Sequence, residues 1–268
     1  MDGMDQGQEI PPGAGEGEVL FTGADITVTG FANANGDAPG ATRCVVTFDY
    51  LKLPGEPSIP YGRKAIRDAG AAQVHLATSW NHWFQTEDTP AAILAAQRFC
   101  AGRPTFLFGA SMGGFAAIQF APMFNTAAVI AIAPQFSADP RKVPFEDRWQ
   151  GDIARLDFRH DSIAETRSDA PVHVLYDPFC RQDAAHVRMI ERHRRVVHLR
   201  CPFADHHPDR MLASMGQFST TLRSIIEGWF SVTNFARWRR EARAQNTLYD
   251  EGMRGALAVR ATSGLYWG

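Results

Sequence analysis

Between Thr105 and Ala117 the sequence reads TFLFGASMGGFAA, an apolar run that ends in Gly-x-Ser-x-Gly and passes directly into small residues. A serine in a tight turn from strand to helix has strained backbone angles, and side chains beside it would strike the neighbouring strand and helix. Gly109 and Gly113 remove those side chains and leave the Ser111 hydroxyl at the carboxyl edge of a sheet. The N–H of Met112 then opens the helix, where an unpaired donor and the positive dipole end can hold an oxyanion. The chemistry this favours is nucleophilic attack on an acyl carbon. A neutral serine is a weak nucleophile near neutral pH, so the reading demands a base in hydrogen-bond reach and a carboxylate to orient it. The competing reading is a glycine-rich turn with no chemical role.

The elements that must position these groups follow from patterning. Runs rich in β-branched and aromatic residues fall at Glu18–Thr22, Ile26–Phe31, Cys44–Phe48, Gln73–Thr78, Thr105–Phe108, Ala127–Ala133, Val172–Tyr176 and Val196–Arg200. Helices are expected at Tyr61–Asp68, Pro90–Cys100, Gly113–Ala121, Asp183–His193 and Met211–Trp229. This alternation predicts an α/β fold, a mostly parallel central sheet flanked by helices, with the first two runs as an antiparallel hairpin at one edge. Residues 18–232 form the main domain, after a flexible N-terminal segment, 1–17, and before a C-terminal basic helix and tail, 233–268. The polar stretch Pro134–Ala170 is too long for a simple connection and reads either as a lid or as a surface insertion. ARWRREARAQ in the tail reads as a solvated helix, with a partner-binding or membrane-surface helix as the alternative.

Together the elbow and the alternation resemble an α/β-hydrolase from about Cys44 to Trp229. The resemblance implies the chain order nucleophile, acid, histidine. It places the base in the loop after the last strand, where Ala204-Asp205-His206-His207-Pro208 is similar to the family's small-x-Gly-His-x-Pro run; His206 takes the base position and His207 is its substitute. Asp177-Pro178, after Val172–Tyr176, is similar to the family's acid turn, so Asp177 is the expected acid and Asp183 the alternative, although a helix N-cap role would account for Asp183. The second oxyanion donor is expected from the loop Thr47-Phe48-Asp49-Tyr50-Leu51-Lys52, at the N–H of Tyr50 or Leu51, with Asp49-Tyr50 where the family has His-Gly. Trp80, Asn81, His82 and Trp83 follow the strand Gln73–Thr78 on the edge where Ser111 emerges and are candidates for substrate binding, as is Gln135; packing of the tryptophans against an edge helix is the alternative.

Composition narrows the rest. The chain has 268 residues, 45% hydrophobic and 21% charged, with a formal net charge of −2, which gives no field favouring nucleic acid or an acidic membrane surface. No secretory signal or run of about 18 apolar residues is seen, so no membrane span is expected. Cys44, Cys100, Cys180 and Cys201 are scattered without a C-x-x-C pair, which fits reduced thiols and a cytoplasmic location. No metal-ligand pattern, phosphate loop or dinucleotide fingerprint occurs, so neither metal nor cofactor is expected. The expected function is a serine hydrolase acting on a small-molecule acyl ester, as a monomer or a homo-oligomer. Two rivals stand beside it: acyl transfer to an alcohol, for example on a saccharide, and a catalytically silent hydrolase fold used for binding or assembly.

Overall fold

Strand runs that are apolar on both faces belong inside a sheet, and those that alternate belong at its edge. Cys44–Phe48 (β3) is buried at every position, whereas Ile26–Phe31 (β2) alternates buried and half-buried residues. The computed structural model describes residues 17–33, 43–53, 55–243 and 246–263. The other strands are Glu18–Thr22 (β1), Ala72–Thr78 (β4), Thr105–Ala110 (β5), Thr126–Ile132 (β6), Val172–Tyr176 (β7) and Val196–Arg200 (β8). Among the described residues these eight form one sheet in the order β1-β2-β4-β3-β5-β6-β7-β8. β2 runs antiparallel to β1 and β4, and every pairing from β4 to β8 is parallel.

Because successive side chains of a strand point to opposite faces, each central strand feeds two cores. Val46, Leu107 and Val129 pack on one side with Ile93 of helix α2 (Thr89–Cys100), Phe115 of α3 (Met112–Phe120) and Val187 of α5 (Arg181–Ile190). Val45, Phe108 and Ile130 pack on the other side with Ile66 of α1 (Arg63–Asp68), Leu212 of α6 (Pro208–Ser214) and Ile225 of α7 (Phe218–Glu227). A short helix, α4 (Gln150–Ile153), lies inside the 134–170 segment, between β6 and β7.

Three expectations are corrected. The helix foreseen over Met211–Trp229 is two, because Gly216 at φ +65° takes a left-handed conformation that ends α6 before α7 begins. α5 starts at Arg181 with Cys180 as its N-cap, so Asp183 is a first-turn residue rather than the cap. The tail holds two helices, α8 (Val232–Arg243) and α9 (Thr247–Ser263). Phe235 of α8 is buried, and the Tyr249 ring of α9 meets that of Phe203 at 5.4 Å. The tail therefore packs against the loop after β8. The expected N-terminal segment, apart from Gly17, lies outside the described residues. None of the described helices is long and apolar enough to cross a membrane.

Candidate active site

Ser111 joins β5 to α3 with φ 51° and ψ −116°, a conformation that side chains rarely adopt. The turn is held by the Ser111 N–H donating to Ile132 O at 2.8 Å and by the Phe115 N–H donating to Ser111 O at 3.0 Å. Its glycines are sterically required. A Cβ on Gly109 would come within 2.3 Å of the Gly113 backbone, and one on Gly113 within 2.6 Å of Phe48 O and 2.7 Å of Asp49 O. The elbow thus sits against the exit of β3. Met112 opens α3, where first-turn N–H groups have no acceptor inside the helix.

The loop after β8 brings His206 Nε2 to 3.0 Å from Ser111 Oγ. His206 Nδ1 lies 3.0 and 2.9 Å from the two Asp183 oxygens. A carboxylate facing Nδ1 requires the proton there, which leaves the Nε2 lone pair to accept from Ser111. Asp183 is 0% exposed. Burial alone would push its carboxyl up, yet the hydrogen bond and charge of His206 and the charge of Arg148 outweigh this and hold it below its ordinary range. His207 is the exposed N-cap residue of α6; its ring meets that of His206 edge-on at 5.9 Å between centres.

The expected acid, Asp177, is not against the histidine. Its oxygens accept the N–H groups of Phe179 and Asp205, each at 2.9 Å. Burial pushes its carboxyl up, and those N–H bonds only partly oppose the shift. The physical reason lies in the start of α5, which lifts Asp183 back over the sheet edge while Asp177 closes the turn at the end of β7. Asp205, standing where the resembled family has glycine, adopts φ +50°, a left-handed angle that aspartate tolerates better than most residues.

Gln135, just after β6, donates from Nε2 to Ser111 Oγ at 3.0 Å. Its Oε1 accepts the Trp83 indole N–H at 3.3 Å, which fixes the amide with its donor toward the serine. The other residues of that loop are turned to different partners. The Trp80 indole donates to Asp25 Oδ1, and His82 spans the Phe84 N–H and the Asp25 carbonyl. Asn81 pairs both ways with the Lys52 backbone, at 2.9 Å each, and so ties this loop to the one carrying Tyr50 and Leu51. That loop is anchored further by Asp49, whose carboxylate takes Lys52 Nζ at 2.7 Å, the Thr78 N–H at 2.9 Å and the Ser58 hydroxyl at 2.9 Å. Burial opposes ionisation of Asp49, but His75, Lys52 and Thr78 prevail and lower it to about 2. The Tyr50 hydroxyl is spent on Glu56 at 3.1 Å.

Sequence reasoning missed Glu146, Arg148 and Trp149, all from the 134–170 segment. Arg148 Nη2 bridges Glu146 Oε2 at 2.6 Å and Asp183 Oδ1 at 2.9 Å. The Trp149 ring lies 5.2 Å from that of His206 and 6.1 Å from that of Trp83. The only signal in the chain was a charged run beside a tryptophan, Glu146-Asp147-Arg148-Trp149.

No protein-family model matches the sequence, and no curated protein matches it either. Solved structures do resemble it. The capsule O-acetyltransferase of Neisseria meningitidis serogroup A matches with a TM-score of 0.56 at 12% identity, over 77% of this chain and 93% of that one. Mouse alpha/beta hydrolase domain-containing protein 10 matches with a TM-score of 0.55 at 14% identity, over 80% of this chain and 100% of that one. Est1E of Butyrivibrio proteoclasticus, in its ferulic acid complex, matches with a TM-score of 0.51 at 15% identity, over 75% and 96%. With a strand order of one antiparallel edge and a parallel remainder, and a tight turn at Ser111 between β5 and α3, this chain has the α/β-hydrolase fold.

Proposed function

We propose that the protein is a serine hydrolase that cleaves an acyl ester through Ser111, His206 and Asp183. The observation that carries this is the continuous hydrogen-bonded chain from Ser111 Oγ through both His206 ring nitrogens to Asp183, begun at a strained elbow. In this reading Ser111 attacks the acyl carbon as His206 Nε2 takes its proton, and the buried Asp183 carboxylate stabilises the imidazolium. The Met112 N–H and a backbone N–H from Tyr50 or Leu51 receive the oxyanion. Gln135 Nε2 adds a fixed donor to the substrate beside the nucleophile. The imidazolium then protonates the leaving alcohol, and the same nitrogen later activates water to release the acyl group.

Acyl transfer to an alcohol is the second reading. What supports it is that Ser111 is only 8% exposed, with Trp149 and Trp83 packed around the histidine and the glutamine that touch it. Such a site can limit access of water to the acyl-enzyme. The capsule O-acetyltransferase among the structural neighbours uses this fold for transfer. The first experiment is labelling with a fluorophosphonate, followed by intact mass. A single adduct on wild type, absent in Ser111→Ala of unchanged fold, is the expected result. No adduct on folded wild type would remove the enzyme reading and leave a binding role. Partitioning of the acyl group between water and added alcohols then separates hydrolysis from transfer.

A further inference from the structure

Behind the Ser111–His206–Asp183 chain stands a second histidine–carboxylate pair. His186 Nδ1 accepts the Phe136 N–H at 3.1 Å, so its proton sits on Nε2 and is donated to Glu146 at 3.0 Å. Arg148 joins the two pairs. It grips Glu146 through Nε at 2.8 Å and Nη2 at 2.6 Å, and the same Nη2 reaches Asp183 Oδ1 at 2.9 Å. Its Nη1 lies 3.2 Å from His206 Nδ1. Since that nitrogen already gives its proton to Asp183, the approach sets a positive charge beside the ring and is not a hydrogen bond. The guanidinium also lies over the Trp149 ring at 4.4 Å, and Trp149 packs on His206. Arg148 is thus fixed on three sides, with a side chain 23% exposed between carboxylates 1% exposed, where solvent screens charge poorly.

We propose that Arg148 is a positioning residue of this site, which locks the Asp183 carboxylate against His206 and holds a fixed positive charge beside the imidazole ring. The inference rests on the assignment of Ser111, His206 and Asp183 given above. A lone carboxylate against an imidazole favours the protonated ring; a cation shared by that carboxylate opposes it. Glu146 moderates the cation in turn. The charged and titratable groups against His206 are Asp183 from α5, Arg148 with Glu146 behind it from the 134–170 segment, and His207 from its own loop, with Asp205 adjacent in the chain. Ser111 and Gln135 are neutral.

The geometry predicts shifts of opposite sign. In Arg148→Gln the protonation midpoint of His206, followed by NMR of histidine-labelled protein, should rise by about one pH unit. In Glu146→Gln, where Arg148 is no longer offset, it should fall. Arg148→Lys keeps the charge without the two-pronged grip, so the midpoint should stay near that of wild type while the plateau rate of fluorophosphonate labelling drops. The acid limb of that labelling should move with the midpoint in each variant. A purely structural role would lower the rate by one factor at every pH and leave the midpoint in place. A midpoint unchanged in both Arg148→Gln and Glu146→Gln overturns the proposal, and Glu146→Gln alone decides it where Arg148→Gln fails to fold. Labelling that is absent from wild type, or that persists in Ser111→Ala, sinks the assignment of the trio instead, and the NMR midpoint still decides the role of Arg148.

Discussion

Two carboxylates, Asp177 and Asp183, lie within the reach of one loop, and their partners separate their roles. Asp183 meets an imidazole and a guanidinium, which stabilise its charge although it is buried. Asp177 meets only backbone N–H groups and serves to hold the turn that carries Asp205 and His206. Asp183→Asn should therefore lower the labelling or turnover rate by about 10⁴-fold, because the amide can stabilise the wrong imidazole tautomer and cannot compensate the imidazolium. Asp177→Asn keeps one acceptor oxygen and should lower stability by about 1–2 kcal/mol while leaving the rate within about tenfold of wild type. Kinetics and urea unfolding on the two variants check both statements. Equal, large rate losses in both would dissolve the distinction.

At the level of elements, the site depends on how closely the elbow approaches the end of β3. A Cβ at Gly113 would strike the carbonyls of Phe48 and Asp49, and backbone cannot yield as a flexible side chain can. Gly113→Ala should lower stability by at least about 2 kcal/mol and displace the loop carrying Tyr50 and Leu51, with loss of labelling beyond that caused by unfolding. The same loop is pinned by the ion pair of Asp49 and Lys52, whose side chains are 0% and 9% exposed. Asp49→Asn strands the ammonium without its counter-charge and should lower stability by about 3 kcal/mol at pH 7, read by chemical denaturation. A loss below about 1 kcal/mol would mean that water reaches Lys52 and that the pair is not what anchors the loop.

For the whole molecule, these buried charges set the response to acid. Asp49 falls from an ordinary 3.8 to about 2, as its partners overcome burial. Glu146 falls from 4.5 to about 2, where burial is outweighed by Arg148 and His186. A carboxylate depressed by folding adds stability above its unfolded value, and that stability is lost as pH falls through the folded one. The unfolding free energy, read from urea titrations, should therefore decline from about pH 4.5 down to about pH 2, by on the order of 2 kcal/mol for each group. Glu146→Gln should be less stable than wild type at pH 7 but show a shallower decline. An identical slope in the two proteins would mean that Glu146 is not depressed.

Periodicity and turn chemistry determined much of this from the sequence. Apolar runs bounded by turn residues located every strand among the described residues to within two positions, because strand formation depends on local patterning and burial on both faces. Gly109, Ser111 and Gly113 carried the elbow in their spacing, and the loop after β8 carried His206. The single helix expected across Gly216 was a local misreading, since a glycine takes a left-handed angle without cost. The rest needed three dimensions. Whether Asp177 or Asp183 meets His206 depends on where α5 starts and how it lies over β7. Whether Trp80 or Trp83 reaches Gln135, the neighbour of Ser111, depends on loop angles, with Trp83 at φ 47°. The convergence of Glu146, Arg148 and Trp149 on a histidine some 60 residues away follows from the path of the 134–170 segment, which no short-range pattern encodes. Local physics fixed the elements and the turn that carries Ser111; long-range packing chose the partners of the histidine.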